Sequence, residues 1–483
     1  MAAPVREPRD YLVREVDVPV RTLALFEPLI GANRYSELQR TADDARRRLR
    51  RRTVWNFNST ASGGGVAEML AVLVGYIKDA RVDIRWHVMD GDPSFFSITK
   101  RIHNRLHGVS GDAGALGTIE AEHYAAVTAA NARSARDLVR RDDVVLLHDP
   151  QAIGMASVLA EAGARVVWRC HIGREGTNGL TDEAWSFLRP HLASCEAYIF
   201  SRRQYVPQWM DVSRVRIIPP SIDPFSPKNQ EMSDVEVVRT LQGIGLLAQR
   251  GPSPPGTFVR SDGGPGLIER PATMVHEGPP LRPHDRLVVQ VSRWDRLKDM
   301  RGVMEGFALA LSGPVDAHLA LVGPQMDAVS DDPEGLEVFD ECVAAWEALP
   351  SESRRRVHLV TLPMDDVDEN AAMVNALQRH ATVIVQKSLM EGFGLTVAEG
   401  MWKGRAVVAS RVGGIIDQVA PGTGILLDDS ADLDGFARTL TSLLADPEEI
   451  ARLGARARQH VLDHFVGDEH LESFAHLIDW LGA

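Results

Sequence analysis

The sequence predicts an α/β protein built from two doubly wound parallel sheets. Three observations carry that expectation. From residue 53 short apolar runs alternate with amphipathic helical stretches. The second half repeats the pattern from residue 287. Between the halves stands Pro219-Pro220-Ser221-Ile222-Asp223-Pro224, a stiff connector that no helix or central strand accommodates. A chain of 483 residues suits two or three domains at about 150 residues each.

In the first half Thr53–Asn58 reads as a strand, followed by a Gly-rich turn and a helix from Val66 to about Lys78. Further strands are expected at Ile84–Val88, Val144–His148, Arg165–Arg169 and Ala197–Phe200. The second half supplies Leu287–Ser292, Ala317–Gly323, Val357–Thr361, Ala381–Gln386 and Ala406–Ser410. Domain limits follow at 1–225, with an N-terminal extension over 1–52, and at 226–465. Residues 466–483 carry a last helix, about Glu472 to Leu481, able to pack back on the first domain. The stretch 250–283, within a Pro/Gly-rich segment of about 232–283, has little periodicity and reads as a surface loop or insertion. Two Rossmann-like halves facing across a cleft is the expected architecture, with ligands at the carboxyl ends of the strands.

Composition narrows the function classes. A hydrophobic fraction of 44% and a charged fraction of 25% exclude a disordered, collagenous or disulfide-stapled chain. The net charge of −13 repels nucleic-acid phosphate and anionic lipid. The basic run Arg46-Arg47-Arg48-Leu49-Arg50-Arg51-Arg52 has no interleaved aromatics and reads as a solvated helix end. No apolar run approaches the roughly 18 residues of a membrane span, and Met1–Val20 lacks the apolar core of a secretory signal. Three cysteines without metal-site spacing suit a reduced, cytoplasmic protein.

Three segments carry candidate chemistry. In Ser59–Val66 a glycine triplet, including Gly64 and Gly65, separates strand from helix and lets backbone amides approach a phosphate or sugar. It is neither a dinucleotide fingerprint nor a phosphate-binding loop with Gly-Lys-Ser/Thr, and it serves equally as a tight connection. In Ser292–Asp299, Arg293 and Lys298 stand past a strand end, where two cations can clamp a diphosphate or simply pair with Asp295 and Asp299. In Glu391–Gly400 a carboxylate precedes a glycine turn that opens a helix, and Glu399 follows eight positions on. The turn Gly392-Phe393-Gly394-Leu395 would aim amides at an anion, with Glu399 placed to accept from a ribose diol.

Two motifs are set aside. Asp90-Gly91-Asp92 spells a metal-chelating Asp-x-Asp but reads as the start of a loop on the acceptor side. His103 and His107 are four apart, yet Asn104 stands where a zinc protease has its glutamate.

The clamp and the Glu391…Glu399 segment resemble family 4 of the retaining glycosyltransferases with the GT-B fold. Asn58–Leu70, Phe95–Gly108, His148-Asp149-Pro150-Gln151, Trp168–Ile172, Pro219–Pro224 and Glu391–Lys403 resemble the trehalose glycosyltransferring synthase branch. The resemblance covers roughly 53–229 and 284–465, and departs in the length of the 232–283 segment. It implies that Arg293 and Lys298 bind donor diphosphate, Glu399 the ribose, and Glu391 with Gly392–Leu395 the donor sugar and phosphate. His171 would sit near the sugar's 6-hydroxyl and anomeric centre. Asp149 would hold the acceptor, with Lys100 and Asn104 nearby and Phe95, His103 and His107 on the same side.

The implied reaction moves glucose from a nucleoside diphosphate glucose to free glucose, giving α,α-trehalose with retention. His171, Glu391, Arg293 and Lys298 would be the catalytic set. No cofactor or metal is expected, and the implied assembly is a homodimer that binds neither nucleic acid nor membrane. A retaining trehalose phosphorylase, a glucosyltransferase with another acceptor and a non-catalytic sugar-nucleotide sensor are the alternatives.

Overall fold

The structure, a computed structural model, describes residues 11–61, 65–249, 251, 253–313, 315–325 and 333–482. It divides into two units: one runs up to Ser221 and takes in the chain from Gly467, the other is Ile222–Val466.

The first unit holds β1 (Arg14–Glu15), β2 (Val54–Asn58), β3 (Ile84–Val88), β4 (Val144–His148), β5 (Arg165–Cys170), β6 (Ala197–Phe200) and β7 (Val215–Ile217). They form a seven-stranded sheet in the order β1-β3-β2-β4-β5-β6-β7. Only β1 runs antiparallel to its neighbour. Helices cover both faces, so β2 and β4 are buried along their length, which is why they read as continuous runs in sequence. Strand order reverses between β2 and β4, and the crevice above that point is where such sheets bind ligands.

The extension before β2 supplies β1 and the helix Glu27–Arg48, which kinks at Gly31 (φ 79°). Its basic end is neutralised locally: Arg46 pairs with Asp43, Arg47 with Asp44 and Arg48 with Asp479. The last helix, Gly467–Trp480, belongs to this unit and starts five residues before the sequence pattern suggests. Phe474, Leu477 and Ile478 join Val54, Leu70, Leu146 and Ile199 in one core.

The second unit contains β8 (Thr257–Val259), β9 (Pro265–Leu267), β10 (Thr273–Val275), β11 (Leu287–Val291), β12 (His318–Pro324), β13 (Val357–Leu362), β14 (Val383–Gln386), β15 (Ala406–Ser410) and β16 (Ile425–Leu427). Its seven-stranded sheet has the order β10-β13-β12-β11-β14-β15-β16, reversing between β11 and β14. The core beneath gathers Val288, Phe307, Leu321, Val385, Val408 and Phe436.

The segment 250–283 corrects the expectation of a surface loop. β8 and β9 form a hairpin, and β10 pairs antiparallel with β13 as an edge of the main sheet. Upstream, Asp234–Gly243 is a helix capped by Ser233. These strands are three residues long, too short for periodicity to mark. Polar anchors hold them instead. Glu369, buried in the helix Val367–His380, accepts from the Glu269 and Arg270 amides at 2.7 and 2.8 Å. Arg260 forks onto Asp366 at 3.1 and 2.6 Å.

Among the described residues no helix is long and apolar enough to cross a membrane.

Asp143 shows how the first sheet is seeded. Its buried carboxylate accepts from the Thr53 amide, the Trp55 indole and the Arg140 amide, each at 2.9 Å. Asp143→Ala strands two buried donors and the part-buried Arg140 amide at the start of β2 and β4. We expect it to lower unfolding free energy by about 2–4 kcal/mol in denaturant titrations, and a loss below about 0.5 kcal/mol would contradict this accounting.

Candidate functional site

In the second unit the two loops that leave β11 and β14 meet at the reversal of strand order. Lys298, from the first, donates to both oxygens of Glu391, from the second, at 2.8 and 2.7 Å. Ser388 Oγ adds a bond to Glu391 Oε2 at 3.1 Å. Gln290, buried in β11, fixes the geometry behind them. Its Nε2 donates to the Lys298 carbonyl at 2.7 Å, and its Oε1 accepts from the Lys387 amide at 3.0 Å. Asp299, at φ 50°, caps the helix Met300–Ala310 and pairs with the fully buried Lys387 ammonium. Arg293 is the exposed cation of the expected clamp: its side chain is 61% exposed, against 16% for Lys298, and it meets Asp295 at 3.1 Å.

The turn after Glu391 is a shaped cradle. Gly394 has φ 81° and stands at the N-cap of the helix Leu395–Trp402 without any side-chain cap. A Cβ there would approach Glu391 Cγ to 2.9 Å and Ile415 Cγ1 to 3.0 Å, so only glycine fits. The Gly392 carbonyl accepts from the Gly414 amide at 3.0 Å. Buried Gln418 donates to the Phe393 carbonyl and accepts from the Ala398 amide at 2.9 Å. The N-terminal end of this helix therefore has no side-chain cap at Gly394, while Gln418 takes the Ala398 amide at the base of the first turn.

Glu399 lies one turn further and is almost wholly buried. Its Oε1 is 3.7 Å from Lys228 Nζ, whereas Oε2 is buried with no hydrogen-bond partner among the described residues. Lys403, on the next turn, donates to Asn229 Oδ1 at 2.8 Å and to the Glu399 carbonyl at 3.2 Å. Burial pulls its ammonium down to about 7 against the opposing pull of Glu399.

In the first unit the polar residues gather at the ends of β2, β4 and β5. His148 closes β4; its Nδ1 lies 3.0 Å from His171 Nε2 and its Nε2 3.0 Å from Asn56 Oδ1. Asp149, next in the chain, takes φ 60° and accepts from the His171 amide at 2.7 Å. Its own carbonyl accepts from the Trp168 indole at 3.0 Å. Burial raises the Asp149 carboxyl to about 7, only partly offset by Arg169. Burial and Arg169 together lower His148 to about 3. His171 is held well below its ordinary value by burial, with Arg169, His148 and His470 adding to it.

The remaining candidates are placed as follows. Gly64 lies outside the described residues. Gly65 opens the helix Gly65–Asp79, and a Cβ there would meet open space, so packing does not demand glycine. Lys100 is exposed and Asn104 half-buried on the helix Pro93–Leu106, the latter against Gly111. His103 and His107 meet edge to face with centroids 5.0 Å apart. Among the described residues no group of three or more His, Cys, Asp and Glu is placed to hold a metal ion. Asp92 does not start a loop. It caps the helix Pro93–Leu106, accepting from the Phe95 amide at 2.8 Å and Tyr11 Oη at 2.6 Å, as an Asp before an N-terminal proline should.

Several site residues escape motif reading: Asn56, Lys228, Gln290, Lys387 and Gln418. Asn56 and Gln290 do carry a signal. Gln290 is the one amide of β11, and Asn56 shares β2 with Asn58 among apolar neighbours; in such covered strands a polar group persists only if it is bonded. Lys228 and Gln418 leave no such trace, because their partners are distant in sequence.

Residues 56–207 match the family model described as trehalose synthase, N-terminal domain, and residues 356–460 match glycosyl transferases group 1. A trehalose synthase of Rubrobacter xylanophilus is 32% identical over 461 residues, 94% of this chain and 96% of that one. A trehalose synthase of Pyrococcus horikoshii is 32% identical over 476 residues, covering 98% and 99%. An α,α-trehalose-phosphate synthase (UDP-forming) from Burkholderia xenovorans, solved in complex with glucose-6-phosphate, superposes with a TM-score of 0.63 at 15% identity. That superposition covers 89% of this chain and 100% of the other, and it shows the shared GT-B fold.

Asp149 gives the site a pH signature. Because its folded value is raised, its contribution to stability is complete below the ordinary aspartate value of about 3.9 and is lost as pH rises through about 7. Asp149→Asn keeps the acceptor for the His171 amide and tolerates the left-handed backbone. Denaturant unfolding at pH 5 and pH 8 should show the variant gaining on the parent at the higher pH, by at most about 3 kcal/mol. An unchanged difference between the two pH values would remove the assignment.

Proposed function

The chain belongs to the trehalose synthase family of glycosyltransferases, and from that premise we propose that it transfers glucose from a nucleoside diphosphate glucose to free glucose, forming α,α-trehalose. One observation carries the choice of a nucleotide donor. Glu399 keeps a buried, unpartnered carboxylate oxygen among the described residues, beside Lys228, in the helix whose uncapped end follows Gly394. A ribose diol supplies the missing donors while the diphosphate faces the helix amides. A phosphorylase, which uses inorganic phosphate, has no use for that carboxylate.

In this reading Arg293 and Lys298 hold the diphosphate and stabilise the charge that develops as it departs. Lys298 is committed to Glu391, so donor phosphate shares or takes over that cation. Glu391 has both oxygens engaged by Lys298 and one by Ser388, which suits orienting the sugar rather than attacking it. Retention then follows a front-face course. The departing phosphate oxygen takes the acceptor hydroxyl proton, and no covalent glycosyl-enzyme forms. In the same reading His171 and Asp149 bind sugar hydroxyls at the strand ends of the first unit.

The test incubates the purified protein with glucose and ADP-, UDP- or GDP-glucose, and separately with trehalose and phosphate, following products by NMR. Trehalose from a nucleotide sugar supports the proposal and names the base. Glucose 1-phosphate formed from trehalose and phosphate overturns it in favour of a phosphorylase. Arg293→Ala should lower kcat by about two orders of magnitude or more with an unchanged melting curve. Glu399→Gln should raise donor KM, and full activity in the Arg293 variant would remove the clamp.

A further inference from the structure

We propose that Asn56 and His148 are positioning residues that hold His171 as its Nε2–H tautomer, leaving His171 Nδ1 as a hydrogen-bond acceptor for a hydroxyl of bound sugar. The sugar half of this inference rests on the transfer reading above; the tautomer half does not.

The protons available to three side chains fix the tautomer. Asn56 Nδ2 faces the Arg85 carbonyl at 3.5 Å, so its Oδ1 is the atom turned to His148 Nε2 at 3.0 Å. An amide oxygen only accepts, so the His148 proton sits on Nε2. A neutral imidazole carries one such proton, and His148 Nδ1 is therefore an acceptor. It lies 3.0 Å from His171 Nε2, with the two ring planes 14° apart, so an N–H on His171 Nε2 points along the lone pair. His171 Nδ1 is left unprotonated, and among the described residues no hydrogen bond is made there.

Neutrality of both rings is what makes the count work. His148 is buried and His171 half-buried beside Arg169, a cation that disfavours any proton added to either ring. A proton added to His148 Nδ1 would reverse the hydrogen bond across 3.0 Å, and one added to His171 Nδ1 would remove the acceptor there. Backbone geometry agrees: Asp149, in its left-handed conformation, clasps the His171 amide and fixes where the ring leaves β5. Asn56, His148 and His171 come from three parallel strands or their ends, at the carboxyl edge beside the reversal of strand order.

The experiment labels histidine with ¹⁵N and compares the parent protein with His148→Leu and His148→Asn. The asparagine can place its amide oxygen where Nδ1 stood. Ring-nitrogen shifts distinguish protonated from bare nitrogen. In the parent, His171 should show a protonated Nε2 and a bare Nδ1. His148→Leu should mix the two tautomers of His171 and lower kcat about tenfold with donor KM held, whereas His148→Asn should restore both the spectrum and most of kcat. Melting curves check that each variant folds; if the leucine variant does not, the parent spectrum and the asparagine variant decide. A protonated Nδ1 on His171 in the parent overturns the relay, as does a leucine variant with unchanged spectrum and kcat. A parent protein that turns over no sugar nucleotide defeats the transfer reading, and the nitrogen spectrum still decides the relay.

Discussion

The ion pair of Lys298 with Glu391 ties together loops 93 residues apart, and the second unit is arranged so that it forms. Gln290 reaches from β11 to both loops, Asp299 accepts a left-handed backbone, and Lys387 gives up solvent to neutralise it. A pair this buried gains little net energy over an apolar contact, since desolvation offsets attraction. Its value is geometric. Removing either partner leaves a charge stranded at the one place where the strand order opens a crevice. Gly394 and Gln418 extend the same constraint into the helix that follows, setting the distance between the pair and the uncapped amides.

The first unit meets the same need, polar groups at a sheet edge, without strong charge. Arg169 is buried near Asp149, yet three imidazoles around them stay neutral: His148 and His171 share a hydrogen bond, and His470 faces Arg169. His470 illustrates the economy: its Nδ1 donates to the Pro219 carbonyl at 3.0 Å, so its Nε2 is left to face Arg169 at 3.4 Å. The last helix of the chain thereby supplies a residue to the floor of the polar layer, which explains why it is folded into this unit.

The regular part of the fold was legible because parallel strands covered on both faces must be apolar throughout, and Val144–Leu147 or Leu319–Val322 can hardly be anything else. The hairpin β8–β9 and the edge strand β10 were not. Their identity depends on Glu369 and Asp366, which lie about a hundred residues away and act through the Glu269 and Arg270 amides and the Arg260 guanidinium. At the site, Lys298, Glu391 and Glu399 stood out because glycine turns and carboxylates at helix starts have few other reasons to coincide. Their supports did not. Gln418 or Lys228 looks like any surface residue until the chain has folded, and Asp92 mimicked a metal motif because capping and chelation favour the same side chain.

The two cations at the edge of the second sheet differ most in their contact with water. Lys298 is largely enclosed and held by a carboxylate, while the Arg293 side chain is more than half exposed. Dissolved ions screen charges across water within about 10 Å at 0.1 M and reach enclosed pairs far less. Ionic strength therefore acts on the two cations unequally. In the proposed clamp, added salt would weaken the long-range pull of Arg293 on an approaching anion and slow its arrival, yet leave the grip of Lys298 almost as strong once the anion is seated.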